Sequence, residues 1–70
     1  GRDLMDIKVG TTFKKRGKHN KDRVYTVIDT LTTINNSGKV VRVEYKCAYP
    51  FIGQQVTSVE RATTIKMGIL

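Results

Sequence analysis

The chain of 70 residues has no tryptophan, one cysteine, one proline and one histidine, and only six acidic residues stand against thirteen Lys and Arg. Each shortage removes a class of explanation. A lone Cys47 cannot form an internal disulfide, and His19 alone gives no ligand set for a structural zinc, so neither usual staple of a small domain applies. One His, one Cys and scattered carboxylates also lack the spacing of metal ligands or of a nucleophile flanked by a base. No enzyme, cofactor or metal site is expected. No apolar run approaches a bilayer span and no charged start followed by an apolar stretch marks a secretion signal. The expectation is an intracellular, reducing compartment with no membrane partner. Met5, Asp6, Ile7 reads as a native start, so residues 1–4 are set aside as a remnant and 5–70 are taken as one domain. A chain this short buries roughly 60% of its unfolded surface, which leaves its stability marginal.

What is present in excess is positive charge, and it is concentrated. Lys14, Lys15, Arg16, Lys18, Lys21 and Arg23 place six of the thirteen basic residues within ten positions, interrupted by one acid, Asp22. Like charges this close repel one another unless a polyanion supplies the countercharge, so nucleic acid is the first partner to consider. The net charge of +7 on 70 residues exceeds what solubility asks of a small domain. A solvated surface loop would have the same composition of Lys, Arg, Gly, His and Asn. Gly17 does not make a phosphate-cradling loop, because the Gly-Lys-Ser/Thr spacing and a following helix are missing. His19 offers at most a hydrogen bond.

The rest of the chain carries β signals. Val, Ile, Thr, Tyr and Phe dominate residues 24 to 65, and such residues fit a pleated, half-buried surface. From Lys39 to Tyr49, the residues Val41, Val43, Tyr45, Cys47 and Tyr49 alternate with Val40, Arg42, Glu44, Lys46 and Ala48. The first set is expected to face the core and the second water. Cys47 is then a small buried hydrophobe rather than a reactive thiol. Asn35, Asn36, Ser37 and Gly38 supply a turn, and Arg23 to Ile34 forms the preceding strand. Val24 and Ile28 fall on one of its faces, and Tyr25, Val27 and Leu31 on the other, so part of it is expected to be covered on both sides.

A hairpin this long in so small a domain is expected to bend and contribute to two packed layers, a small closed barrel. Ile7 to Phe13 reads as a short strand kinked at Gly10, and the basic stretch bridges it to the hairpin as a mobile rim loop. After Pro50 and Gly53, Gln54 to Arg61 gives a fourth strand, followed by one helical turn around Thr63 to Lys66 and a closing piece through Leu70. Thr57 and Glu60 also match a capping box, which leaves a helix from Ser58 to Met67 as the alternative.

This order of elements, with Val9, Gly10, Thr11, Thr12, Phe13 opening it, resembles the SH3-like small barrels, including the Tudor and KOW types, over most of Ile7 to Leu70. The Val9, Gly10, two residues, Phe13 pattern is similar to the Val-Gly-Asp-x-Val opening of KOW modules, with Thr11 in place of the acid. It also resembles small phage-encoded proteins of this kind. The resemblance implies an all-β barrel of about five strands and a binding module for nucleic acid or peptides, acting through a rim loop and without catalysis. Neither an aromatic cage nor the acidic and aromatic loop of proline-peptide binders is present.

Two functions follow as expectations. One is nucleic acid binding, DNA ahead of RNA, through Lys14, Lys15, Arg16, Lys18, Lys21 and Arg23, extended by Arg42 and Lys46 on the solvent face of the clearest strand. The other is a protein-interaction module, a regulator or inhibitor, docking the basic loop or a free sheet edge on an acidic partner. A positive stripe from the loop across Arg42 and Lys46 would favour nucleic acid, and an isolated knob beside an apolar patch would favour protein. Phe13, Tyr25, Tyr45, Tyr49 and Phe51 are the candidate stacking platforms, with Tyr49 and Phe51, flanking Pro50, the ones expected to reach the surface.

Overall fold

The computed structural model describes residues 7–21 and 23–70. The reading of residues 1–4 and of a start at Met5 lies outside the described residues, as does Asp22. Four strands, β1 (Thr12–Phe13), β2 (Tyr25–Ile34), β3 (Val40–Phe51) and β4 (Gln54–Arg61), pair antiparallel in chain order, and one short helix, α1 (Ala62–Lys66), follows β4 directly. The mainly β reading, the long hairpin, the fourth strand and the single helical turn all match the sequence pattern. The alternative helix from Ser58 does not form, because β-branched Val59 and its neighbours are taken up in the β3–β4 ladder as far as Glu44↔Arg61.

The sheet is open among the described residues, with β1 and β4 at its edges; this pairing does not show the expected closed barrel. On the outer edge of β1 lies a single bridge, Phe13↔Ile69. It is flanked by bonds from Lys14 N–H to the Gly68 carbonyl at 2.9 Å and from Leu70 N–H to the Thr12 carbonyl at 3.1 Å. Gly68 is required there: a Cβ would lie 1.8 Å from the Lys14 carbonyl oxygen. The expected strand Ile7 to Phe13 shrinks to Thr12 and Phe13. A turn at Val9 and Gly10 (φ +99) folds the chain back, with Thr11 N–H bonded to the Lys8 carbonyl, and tucks Ile7 into the core.

The core is small and lies at one end of the hairpin. Phe13, Tyr25, Val27, Cys47 and Ile65 are fully enclosed, with Ile7 beside them and Tyr45, Tyr49 and Ala62 packed against the cluster. The alternation along β3 holds from Tyr45 to Tyr49. Beyond that it has nothing to face: Val43 is 38% and Val41 55% exposed. These two were expected in the core and are not, because β1, α1 and β4 cover only the near end of the ribbon. Ala48, assigned to water, is buried in mid-sheet, flanked by Thr26 and Thr57.

A second correction concerns β2. Val27 pairs with Cys47, but the next pair is Asp29 with Lys46, so Ile28 is an extra residue in the ladder. Such a bulge reverses the phase of every side chain after it. Thr30 and Thr32, opposite Tyr45 and Val43, take the face that Tyr25 and Val27 hold below, and Leu31 joins Glu44 on the reverse side. Double coverage of β2 is therefore absent, and residues 28–34 are all exposed. At the far end Asn35 organises the turn, its Oδ1 accepting from the Ser37 and Lys39 backbone N–H groups at 3.0 Å each. The β3–β4 turn is tighter and strained. Ile52 has φ +50 ahead of Gly53 at φ +72, a two-residue turn that usually takes Asn-Gly.

Candidate nucleic-acid interface

The basic stretch leaves β1 at Lys14 and returns to the sheet at Tyr25, and its shape depends on one polar residue. Asn20 closes a short 3-10 turn, Lys18–Asn20, entered through Gly17 at φ +109. Its amide donates to the Arg16 carbonyl at 2.9 Å, while its Oδ1 accepts from the Arg23 guanidinium at 3.2 Å and the Tyr25 hydroxyl at 3.0 Å. Tyr25 is buried, so its hydroxyl needs this partner. Asn20 thus ties both limbs of the loop to the core.

The six loop cations divide into two groups. Lys15 reaches Glu60 at 3.0 Å and lies 5.3 Å from the centre of the Tyr25 ring. Glu60 is nearly buried and also accepts from the Ser58 hydroxyl at 2.8 Å. The bond to Glu60 raises the Lys15 pKa above its usual 10.5, so this ammonium is structural. Arg23 sits 4.8 Å from the Tyr49 ring centre and 4.9 Å from that of Phe51. Below it the aromatic cluster continues from Tyr49 to Tyr25 at 4.6 Å and on to Phe13 at 5.2 Å. Lys14, Arg16, Lys18 and Lys21 form the second group: all are exposed, with no carboxylate partner among the described residues. Where Lys14, Lys15 and Arg16 approach Thr64 and Met67, a shallow pocket of about 240 Å³ opens.

Arg42 and Lys46 do not join this group. Lys15 and Arg23 lie over the sheet face that carries Tyr25, Tyr49 and Glu60, whereas Lys46 pairs in register with Asp29 and Val59 on the reverse face. Arg42, also on that face, bonds Glu44 at 3.4 Å. Of the aromatic residues, Phe51 is exposed and Tyr49 half-buried, as their place beside Pro50 suggested; Tyr25 and Phe13 are committed to the core. Cys47 is fully buried, and burial pushes its thiol pKa up to about 11, which leaves it protonated and unreactive at neutral pH.

The organising roles of Asn20 and Glu60 went unseen in the sequence. Asn20 lies in a run where every residue is polar, and Glu60 is 45 residues from the lysine it holds. Among the described residues no group of His, Cys, Asp or Glu could hold a metal ion, and no helix is long and apolar enough to cross a membrane. Comparisons with known protein families, with curated proteins and with solved structures find no match for this chain.

Proposed function

We propose that the protein is a nucleic-acid-binding module that grips a short run of phosphates through Lys14, Arg16, Lys18 and Lys21. The observation that carries this reading is the division of the loop. Lys15 and Arg23 are used to hold the loop on the core, and four further cations are left facing water on a scaffold fixed by Asn20. Preorganised cations release counterions on meeting a polyanion, and this release drives sequence-independent binding to DNA or RNA. The SH3-like barrel belongs to the same proposal: the Phe13↔Ile69 bridge adds a fifth extended piece at the edge of β1, the side from which such a barrel would close.

A specific observation favours the protein-docking alternative. The loop and the Arg42 and Lys46 pair lie on opposite faces, so the basic surface is a knob rather than a stripe, and Met67 is exposed beside it. Against that, Arg16 to Lys21 contains no apolar or aromatic residue to serve as the desolvated anchor that protein interfaces concentrate their energy on. We therefore place nucleic acid first.

The test is a fluorescence polarisation titration of duplex DNA, single-stranded DNA and RNA at several salt concentrations. Four phosphate contacts give a slope of log affinity on log salt of roughly −3 to −4. Changing Lys14, Arg16, Lys18 and Lys21 together to Gln, with Lys15 left in place to keep its bond to Glu60, should abolish that slope while circular dichroism stays unchanged. Absence of wild-type binding at low salt would move the assignment to an acidic protein partner.

A further inference from the structure

The outer half of the hairpin carries a second surface, independent of the basic loop. On β2 the ladder with β1 ends at Thr26, and the last backbone bonds from the N-terminal segment are made to Val27, from Gly10 N–H and to the Thr11 carbonyl. Beyond them, Ile28, Asp29, Thr30, Leu31, Thr32, Thr33 and Ile34 form an edge with no strand beside it among the described residues. Folded proteins ordinarily guard such an edge with Lys, Pro or inward charges. From Thr30 to Ile34 this one has none, and every residue there is β-branched or leucine.

We propose that this edge pairs with the same edge of a second copy, antiparallel about a two-fold axis through Leu31. The occupant follows from the register. Antiparallel pairing about Leu31 sets Leu31 against the partner's Leu31, Thr30 against the partner's Thr32 and Asp29 against the partner's Thr33. Leucine meets leucine, Thr30 meets threonine, and no like charges are opposed. Thr33 is itself paired with Arg42 across β2–β3, so Asp29, whose Oδ1 accepts from the Thr30 N–H at 2.8 Å and which has no salt bridge within the described chain, faces the partner's Arg42 beyond a small threonine. Arg42, which lies away from the loop and bonds Glu44, thus gains a second carboxylate. The two four-stranded sheets become one continuous sheet. Because a two-fold axis perpendicular to a sheet keeps each face on its own side, both basic loops then project from the same side.

Sedimentation equilibrium of the full chain tests this. At about 100 µM, suited to an interface at the small end of the stable range, wild type should approach twice the chain mass. Leu31→Lys, which sets two like charges on the axis at an exposed position, should weaken association at least about tenfold, with circular dichroism unchanged. Thr33→Lys, which puts a cation opposite Asp29, should tighten it, and Thr33→Asp should loosen it. A monomeric wild type at that concentration overturns the proposal, as does association that ignores Leu31→Lys; a dimer in which the two Thr33 variants act alike overturns the register.

Discussion

At the near end of the β2–β3 ribbon, Val27 and Cys47 face each other fully buried; four rungs along, Thr32 and Val43 face each other with Val43 38% exposed. Residue type alone does not separate the two places, since each sets a valine against its cross-strand partner on the same face of the sheet. What differs is the cover. Phe13, Ile65 and the basic loop lie over the near end, and no described element reaches the far end. Burial in so short a chain is thus set by what crosses a strand rather than by the strand itself.

The largest effect that would break this contrast lies in the cover. Phe13→Ala removes a fully enclosed ring that stacks on Tyr25 and should cost about 3–5 kcal/mol, enough to leave much of the chain unfolded in a thermal melt. A stable folded variant would show that the near end does not depend on it.

At the near end, alkaline pH acts on Cys47 and Lys15. Cys47 ionises from about 9.0 in the unfolded chain and near 11 when folded, so the folded state holds its proton longer and stability falls as pH rises across that interval. Lys15, its pKa raised by the bond to Glu60, contributes stability in full below 10.5 and loses it as pH climbs through the folded value. Both point the same way, so the melting temperature should decline from pH 9 to pH 11, and Cys47→Ala should flatten the early part of that decline. A flat wild-type profile would remove both groups from the stability of the near end.

The smallest effect is expected at the far end. Val43→Ala should cost below about 1 kcal/mol, since an exposed position loses little transfer energy and leaves no cavity. A loss matching that of a buried valine would mean that the far end is covered after all, as it would be in an assembly.

The local elements were legible because their signals are local. Asn35 to Gly38 marked the first turn, Gly53 marked the second, with Pro50 taken into β3 opposite Gln55, and alternation from Tyr45 to Tyr49 set the inner face of β3. The Ile28 bulge was not legible, since an extra residue in a β-branched run leaves the pattern looking continuous, and it displaced Leu31 to the other face. The basic cluster was visible at once. Its division into structural and exposed cations depends on Glu60, Tyr49 and Phe51, all distant in sequence, and could be seen only when those partners were in place.

The clasp between Phe13 and Ile69 bears on the order of folding. It joins segments more than fifty residues apart, so its loop-closure entropy is large, whereas each hairpin needs only a short turn. The hairpins can therefore zip first, with the ends docking late and opening early. Lys14 begins the basic loop and is bonded to Gly68 within that clasp. Amide exchange in the loop should then follow the opening of the chain ends rather than global unfolding, and any contact that steadies the C-terminal segment would also steady the cations.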